Sequence, residues 1–91
     1  MSQLLVQIPC KDEEENISEV IASIPRKIDG ISKVFVLVID DDSSDSTVKR
    51  AIEAGADYVL VKKSQFGLAR SFSLGTSFFL HSGCDILVNT D

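Results

Sequence analysis

Three consecutive carboxylates interrupt the most apolar stretch of the sequence, where Val34-Phe35-Val36-Leu37-Val38-Ile39 runs into Asp40-Asp41-Asp42-Ser43-Ser44-Asp45. Carboxylates at such a point accept hydrogen bonds from a base N–H or from ribose hydroxyls, and they ligate hard divalent cations. A second polar run, Pro9-Cys10-Lys11-Asp12-Glu13-Glu14-Glu15, follows the apolar Leu4-Leu5-Val6-Gln7-Ile8, and Lys62-Lys63-Ser64-Gln65-Phe66-Gly67 follows Tyr58-Val59-Leu60-Val61. Thr90 and Asp91 follow a fourth apolar run, Ile86-Leu87-Val88. If these runs meet on one rim, carboxylates about 4 Å apart repel by roughly 4 kcal/mol at an effective dielectric of 20. Mg²⁺ or Mn²⁺ sharing its ligands with substrate phosphates would relieve that repulsion, as would Lys11 and Lys62, or splaying into solvent. The competing reading is purely structural: Asp12, Glu14, Glu15 and Asp45 stand where helices begin, and acids are common there for dipole reasons.

Other chemistries are excluded by what the chain lacks. There is no Gly-x-Gly-x-x-Gly after the first apolar run and no Gly-x-x-x-x-Gly-Lys-Ser/Thr, so dinucleotide and P-loop sites fail. Pyrophosphate contacts must then come from a metal and from basic side chains, with Arg70 the best placed. The two cysteines, Cys10 and Cys84, have no metal-ligand spacing and read as buried thiols, and the lone His81 reads as a helix-end residue. Net charge is −5, with ten acids against four bases in residues 1–45, so phosphate-backbone binding to nucleic acid is not expected.

The elements that must position these residues follow from periodicity. The four apolar runs are strand-length and rich in β-branched residues, and the second is apolar throughout, as a strand covered on both faces of a parallel sheet should be. Between them lie three helical patterns. Ile17, Val20, Ile21 and Ile24 form one stripe, with Asp12 and Glu15 spaced as a capping box and Pro25 as the stop. A short second helix begins near Ser44 or Asp45, runs through Val48, Ala51 and Ile52 and ends at Gly55. The third spans about 66–81, with Leu68, Ala69, Phe72, Thr76 and Phe79 on one face and Ser82-Gly83 as the stop; Gly75 inside it signals close packing or the approach of a ligand. The order βαβαβαβ implies a Rossmann-like three-layer α/β/α fold with a parallel four-stranded sheet, whose strand C-termini share one edge.

At that edge the residues carry a resemblance. Ile8-Pro9-Cys10-Lys11-Asp12-Glu13-Glu14-Glu15-Asn16-Ile17 resembles the I-P-A-Y-N-E-E-x-N-I opening of family 2, GT-A-fold glycosyltransferases, and Val38-Ile39-Asp40-Asp41-Asp42-Ser43-Ser44-Asp45-Ser46-Thr47 resembles their V-V-D-D-G-S-x-D-G-T. Phe66-Gly67-Leu68-Ala69-Arg70 through Gly75 is similar to the family's G-L-A-x-A…G helix, and Asp85 to Asp91 to the strand that ends in its D-x-D metal motif. The similarity covers the whole chain, in order, with the dolichyl- or polyprenyl-phosphate mannose and glucose synthases as the subgroup most resembled. It implies that Pro9, Lys11 and Glu13 line a nucleotide pocket, that Asp41 contacts the base with Asp40 beside it, that Arg70 lies near the diphosphate, and that Asp91 is the first carboxylate of D-x-D. Four positions depart from the pattern: Lys11 replaces an aromatic, Asp42 and Ser46 replace glycines, and Asp12 replaces Asn.

The resemblance further implies that residues 1–91 are the N-terminal, nucleotide-sugar-binding portion of an incomplete domain, because the second acid of D-x-D and the acceptor pocket would follow Asp91. The catalytic base is not assigned. The implied parent reaction moves a hexose from a UDP- or GDP-sugar, with Mg²⁺ or Mn²⁺, to an acceptor such as a lipid phosphate, the short chain alone being inactive. With no apolar run of about 20 residues and no basic leader, a cytoplasmic location is expected, the longer parent at the cytoplasmic face of a membrane. Two alternatives stand beside this reading. One is a receiver-like Mg²⁺-binding signalling domain, disfavoured because Tyr58–Val61 ends in Lys62-Lys63 where an acceptor Asp is needed. The other is a non-catalytic α/β piece that self-associates through an exposed sheet edge.

Overall fold

The computed structural model describes residues 2–63 and 67–90, the side chains of 67–72 excepted. Its elements are β1 (Ser2–Cys10), α1 (Ile17–Ala22), β2 (Ile31–Asp40), α2 (Thr47–Glu53), β3 (Tyr58–Val61), α3 (Gly67–Ser82) and β4 (Ile86–Asn89). The four strands form one parallel sheet in the order β3-β2-β1-β4, with Val6 opposite Val36 and Val88, and Val38 opposite Val59. The chain steps outward from β1 to β2 to β3 and then returns past β1 to β4. Crossovers of one hand must therefore place α3 on the face opposite α1 and α2.

The two cores show this arrangement. On one face Leu4, Val6, Ile8, Val34, Val36 and Val38 pack against Ile17 and Ile21 of α1 and Ala51 of α2. On the other, Leu5, Leu37 and Ile39 pack with Phe35, Leu60, Leu87 and the α3 residues Phe78 and Phe79. Val36, Leu37, Val38 and Ile39 are wholly inaccessible to solvent, which is why β2 is apolar without alternation. At about 1.5–3 kcal/mol for each fully buried aliphatic side chain, β2 and β1 anchor the sheet. The outer strands contribute less, with Tyr58, Val61, Ile86 and Val88 all exposed.

The helix boundaries differ from expectation in instructive ways. The Asp12–Glu15 capping box does not form: Asp12 adopts a left-handed φ of 50°, residues 13–16 make a turn closed by Ile17 N–H on the Glu13 carbonyl, and the helix starts only at Ile17. The second helix begins at Thr47, with Asp45 accepting from the Thr47 N–H instead of serving as the formal cap. Gly55 (φ 101°) and Gly83 (φ 81°) follow α2 and α3 as left-handed stops. In α3, Phe79 faces the core as expected and Phe78 joins it, whereas Thr76 is exposed; the expected contacts of Leu68, Ala69 and Phe72 lie outside the described residues. The Gly75 signal resolves into close packing, because a β-carbon there would stand 2.9 Å from Ile39 Cδ1 and collide with Gln7. His81 Nδ1 lies 2.9 Å from the Ser77 carbonyl at the end of α3, as a helix-end residue should.

Candidate functional site

The C-terminal ends of β1, β2 and β4 lie side by side, and the strand order reverses between β1 and β4. A crevice opens at such a reversal because the adjoining connections leave to opposite faces. Each ladder extends one residue past the strands: Asp41 N–H donates to the Cys10 carbonyl (2.9 Å), Lys62 N–H to the Asp40 carbonyl (2.7 Å) and Thr90 N–H to the Gln7 carbonyl (3.1 Å). The loops therefore leave the sheet from fixed positions.

Most of the acids on this rim are occupied in tying the β1–α1 loop to the β2–α2 loop. Asp12 accepts from Ser44 N–H (2.9 Å) while its own N–H donates to Ser43 Oγ (2.8 Å). Glu14 accepts from Ser46 N–H (3.0 Å), and Glu14 N–H donates to Asp45 (3.3 Å). Glu13 N–H donates to Oγ1 of the buried Thr47 (2.9 Å), and that hydroxyl in turn donates to Asp45. These bonds place donors of one loop on acceptors of the other and so offset part of the expected repulsion. The Thr47 hydroxyl is the main reason that the Asp45 carboxyl lies below its ordinary pKa, with further backbone N–H donors adding to it. Asp12, Glu14 and Asp45 are thus structural by tying the two loops together and not, as expected of them and of the exposed Glu15, by capping helix N-termini.

Asp40 and Asp41 behave differently from one another. Asp40 is 1% exposed at the end of β2, facing the α1 and α2 side, where Ser43 donates to it through both N–H (2.9 Å) and Oγ. It also receives the Cys10 Sγ at 3.9 Å. Burial first, then the nearby Asp40 charge, pushes the Cys10 thiol up to about 12, so it is an inert thiol at neutral pH. Both cysteines are free. Asp41 instead meets the buried Lys62, whose Nζ lies 3.2 Å from Asp41 Oδ1. That oxygen is enclosed, and among the described residues its partner is the Lys62 ammonium. Asp42 has a left-handed φ of 54° and only a loose contact to the exposed Lys63 (3.9 Å).

The remaining predicted positions are at the same edge. Pro9 is half-buried and Lys11 and Glu13 are exposed. Pro9 and Glu13, with Ile8, Cys10, Ile17 and Val20, line a cleft of about 110 Å³, well below the 300 Å³ or more of a typical ligand pocket. A nucleotide at this edge would therefore lie along open surface and not in that cleft. The Arg70 side chain and Asp91 lie outside the described residues. Among the described residues no three His, Cys, Asp or Glu side chains are grouped to hold a metal ion. Two polar residues that the sequence reading passed over are prominent here, Gln7 in β1 and Asn89 in β4, whose side-chain amides are hydrogen-bonded to each other. The signal for the first was in plain view, as the one polar residue in Leu4-Leu5-Val6-Gln7-Ile8.

Solved structures share this fold over nearly the whole chain. Glucosyl-3-phosphoglycerate synthase from Mycobacterium tuberculosis, in complex with Mn²⁺, UDP-glucose and glycerol 3-phosphate, matches with a TM-score of 0.75 and 26% identity over 99% of this chain and 34% of that one. A mycobacterial protein matches at 29% identity and a TM-score of 0.75 over 99% of this chain and 31% of that one. A further structure of the M. tuberculosis synthase is 37% identical over 66% of this chain and 21% of that one, with a TM-score of 0.55. The chain thus spans about a third of the length of the first two structures, and no curated protein matches it. The model of glycosyl transferase family 2 matches residues 5–89, a span that takes in the sheet and both interlocked loops, and the chain belongs to that family.

Proposed function

We propose that the chain is the nucleotide-sugar-binding portion of a hexosyltransferase that uses a nucleoside-diphosphate hexose and a divalent cation. The observation that carries this reading is the position of Asp41, which follows β2 at the C-terminal edge of the sheet against the buried Lys62, inside the stretch matched by the family. Asp41 accepts a hydrogen bond from the base, Asp40 holds the loop that presents it, and Pro9, Lys11 and Glu13 form the adjoining wall. Arg70 and Asp91 serve the diphosphate and the metal.

Mn²⁺ and UDP-glucose occupy the similar M. tuberculosis synthase, which favours a UDP-hexose over a GDP-hexose as donor here. The described residues supply no three-ligand metal cluster of their own. Asp91 would hold such an ion together with substrate oxygens, and the ion would supply charge stabilisation to the departing diphosphate. The sequence resemblance favours a lipid phosphate as acceptor, and the similar synthase is seen with glycerol 3-phosphate. Their shared chemistry, a phosphate-bearing acceptor, is the class proposed for the longer protein, which would act at the cytoplasmic face of a membrane, residues 1–91 being inactive alone. No helix among the described residues is long and apolar enough to cross one.

Calorimetry of the chain with UDP and with GDP, each with Mn²⁺, tests this reading. Weak binding of UDP that Asp41→Ala removes is the expected result, and no heat with either nucleotide would sink it. As a separate property we propose that copies associate through the open edge of β4, where Ile86 and Val88 are each 40% exposed.

A further inference from the structure

Gln7 is 1% exposed in the middle of β1, on the α3 side of the sheet among Leu5, Leu37 and Ile39. Its Nε2 donates to the Asn89 side chain, directly opposite it in the β1–β4 register, while its Oε1 is buried without a hydrogen-bond partner among the described residues. Helix α3 presses on it from above, since a β-carbon at Gly75 would overlap the Gln7 carboxamide. The backbone carbonyl of the same residue receives both the N–H (3.1 Å) and the Oγ1 (3.3 Å) of Thr90. One residue thus holds the last two described positions of the chain at the switch-point crevice.

A buried amide with one unsatisfied atom is a poor way to stabilise a sheet, and an apolar residue of the same shape would serve stability better. Its presence there is accounted for by what it orders. Asn89 is exposed at the strand end and would otherwise sample several rotamers. We infer that Gln7 is a positioning residue for the nucleotide-sugar site, its side chain fixing the Asn89 carboxamide through a geometry that Gly75 enforces, beside the Thr90 strand end that the backbone carbonyl holds. This rests on the proposed nucleotide-sugar reading. It adds that the wall of the site formed by β4 is set from inside the sheet, by a side chain that does not touch the ligand.

Three variants test it with two readouts, the order of the side-chain carboxamide at position 89 by NMR relaxation and the affinity for UDP with Mn²⁺ by calorimetry. In Gln7→Met the fold keeps or gains thermal stability, the Asn89 carboxamide loses the donor to its Oδ1 and becomes as mobile as a free one, and the dissociation constant rises about tenfold, the usual cost of losing a supporting partner. Gln7→Asn, one methylene short, does the same. The swapped pair Gln7→Asn with Asn89→Gln restores the reach and recovers both readouts, which a bulk packing effect would not do. Unchanged order of the Asn89 carboxamide in Gln7→Met, or unchanged affinity where the parent chain binds, overturns the inference. If the parent chain binds neither UDP nor GDP, it is the nucleotide-sugar reading that fails, and the order of the Asn89 carboxamide alone then decides whether Gln7 positions it.

Discussion

Asp42 is held at a positive φ of 54° that L-residues other than Asn and Asp rarely adopt, and it stands where the resembled family has glycine. Its pairing with Lys63 is long and exposed, so that contact contributes little to offset the strain. Asp42→Gly should therefore raise the urea midpoint, by up to about 1 kcal/mol of stability, and a lowered midpoint would show that the aspartate itself holds the loop. Cys10 makes an opposite kind of statement, since its thiol is suppressed instead of activated. With its folded value raised from 9.0 to about 12, the stability it contributes is complete below pH 9 and is lost as the pH rises from 9.0 toward 12. At pH 8 iodoacetamide should modify folded Cys10 at least about a hundredfold more slowly than the unfolded chain, because the thiolate is the nucleophile. Labelling at the unfolded rate would mean that the β1–α1 loop opens freely.

Two clasps at opposite ends of the sheet hold the elements in register. At the C-terminal edge the β1–α1 and β2–α2 loops exchange donors and acceptors through Asp12, Glu14, Ser44 and Asp45. At the N-terminal edge Arg26 reaches the carbonyls of Val34 (2.9 Å) and Gly55 (2.8 Å) and pairs with Asp57 (2.7 Å), which also accepts the Val36 N–H (2.7 Å). The ion pair itself is partly solvated and worth little. The Val36 N–H lies in the central strand, and removing its acceptor leaves a largely buried donor unmet. Asp57→Ala is expected to cost about 1–3 kcal/mol in chemical denaturation, and Asp57→Asn distinctly less, since its amide oxygen still accepts. Equal losses in the two variants would assign the stability to the charge. The periodicity of the sequence located every helix and strand, but it placed the start of α1 near Asp12, too early by a turn. The spacing of Asp12 and Glu15 suits a capping box, yet each partner of Asp12 is supplied by the other loop, thirty residues away in the chain.

For the whole molecule the consequence of the β3-β2-β1-β4 order is an asymmetric surface. On the α1 side, Ile24, Pro25 and Ile28 with Leu4, Val6 and Val88 line an apolar groove of about 280 Å³ beside the open β4 edge. An exposed strand edge with apolar residues is a template for pairing with another copy. Sedimentation velocity over a range of concentrations is expected to show reversible association, and Val88→Lys to return the chain to monomer; a monomer at all concentrations would remove the proposal.

How much of this could be read along the chain depends on whether the cause is local. The uninterrupted Val34–Ile39 run, the β-branched composition of four short segments and the stops at Gly55 and Gly83 each follow from burial or backbone geometry within a few residues, so the parallel α/β fold and its acidic edge were legible. The family resemblance was legible for the same reason, since its motifs sit in the loops after the strands. Only the tertiary structure decided which acids the two loops bind. Asp12, Glu14 and Asp45 have the same chemistry as Asp41 on paper, and the packing of two loops consumes the first three while leaving Asp41 against Lys62. The contacts of Gln7 were decided in the same way, because its partners come from β4 and α3, and a hydrogen bond across 82 residues has no local signature.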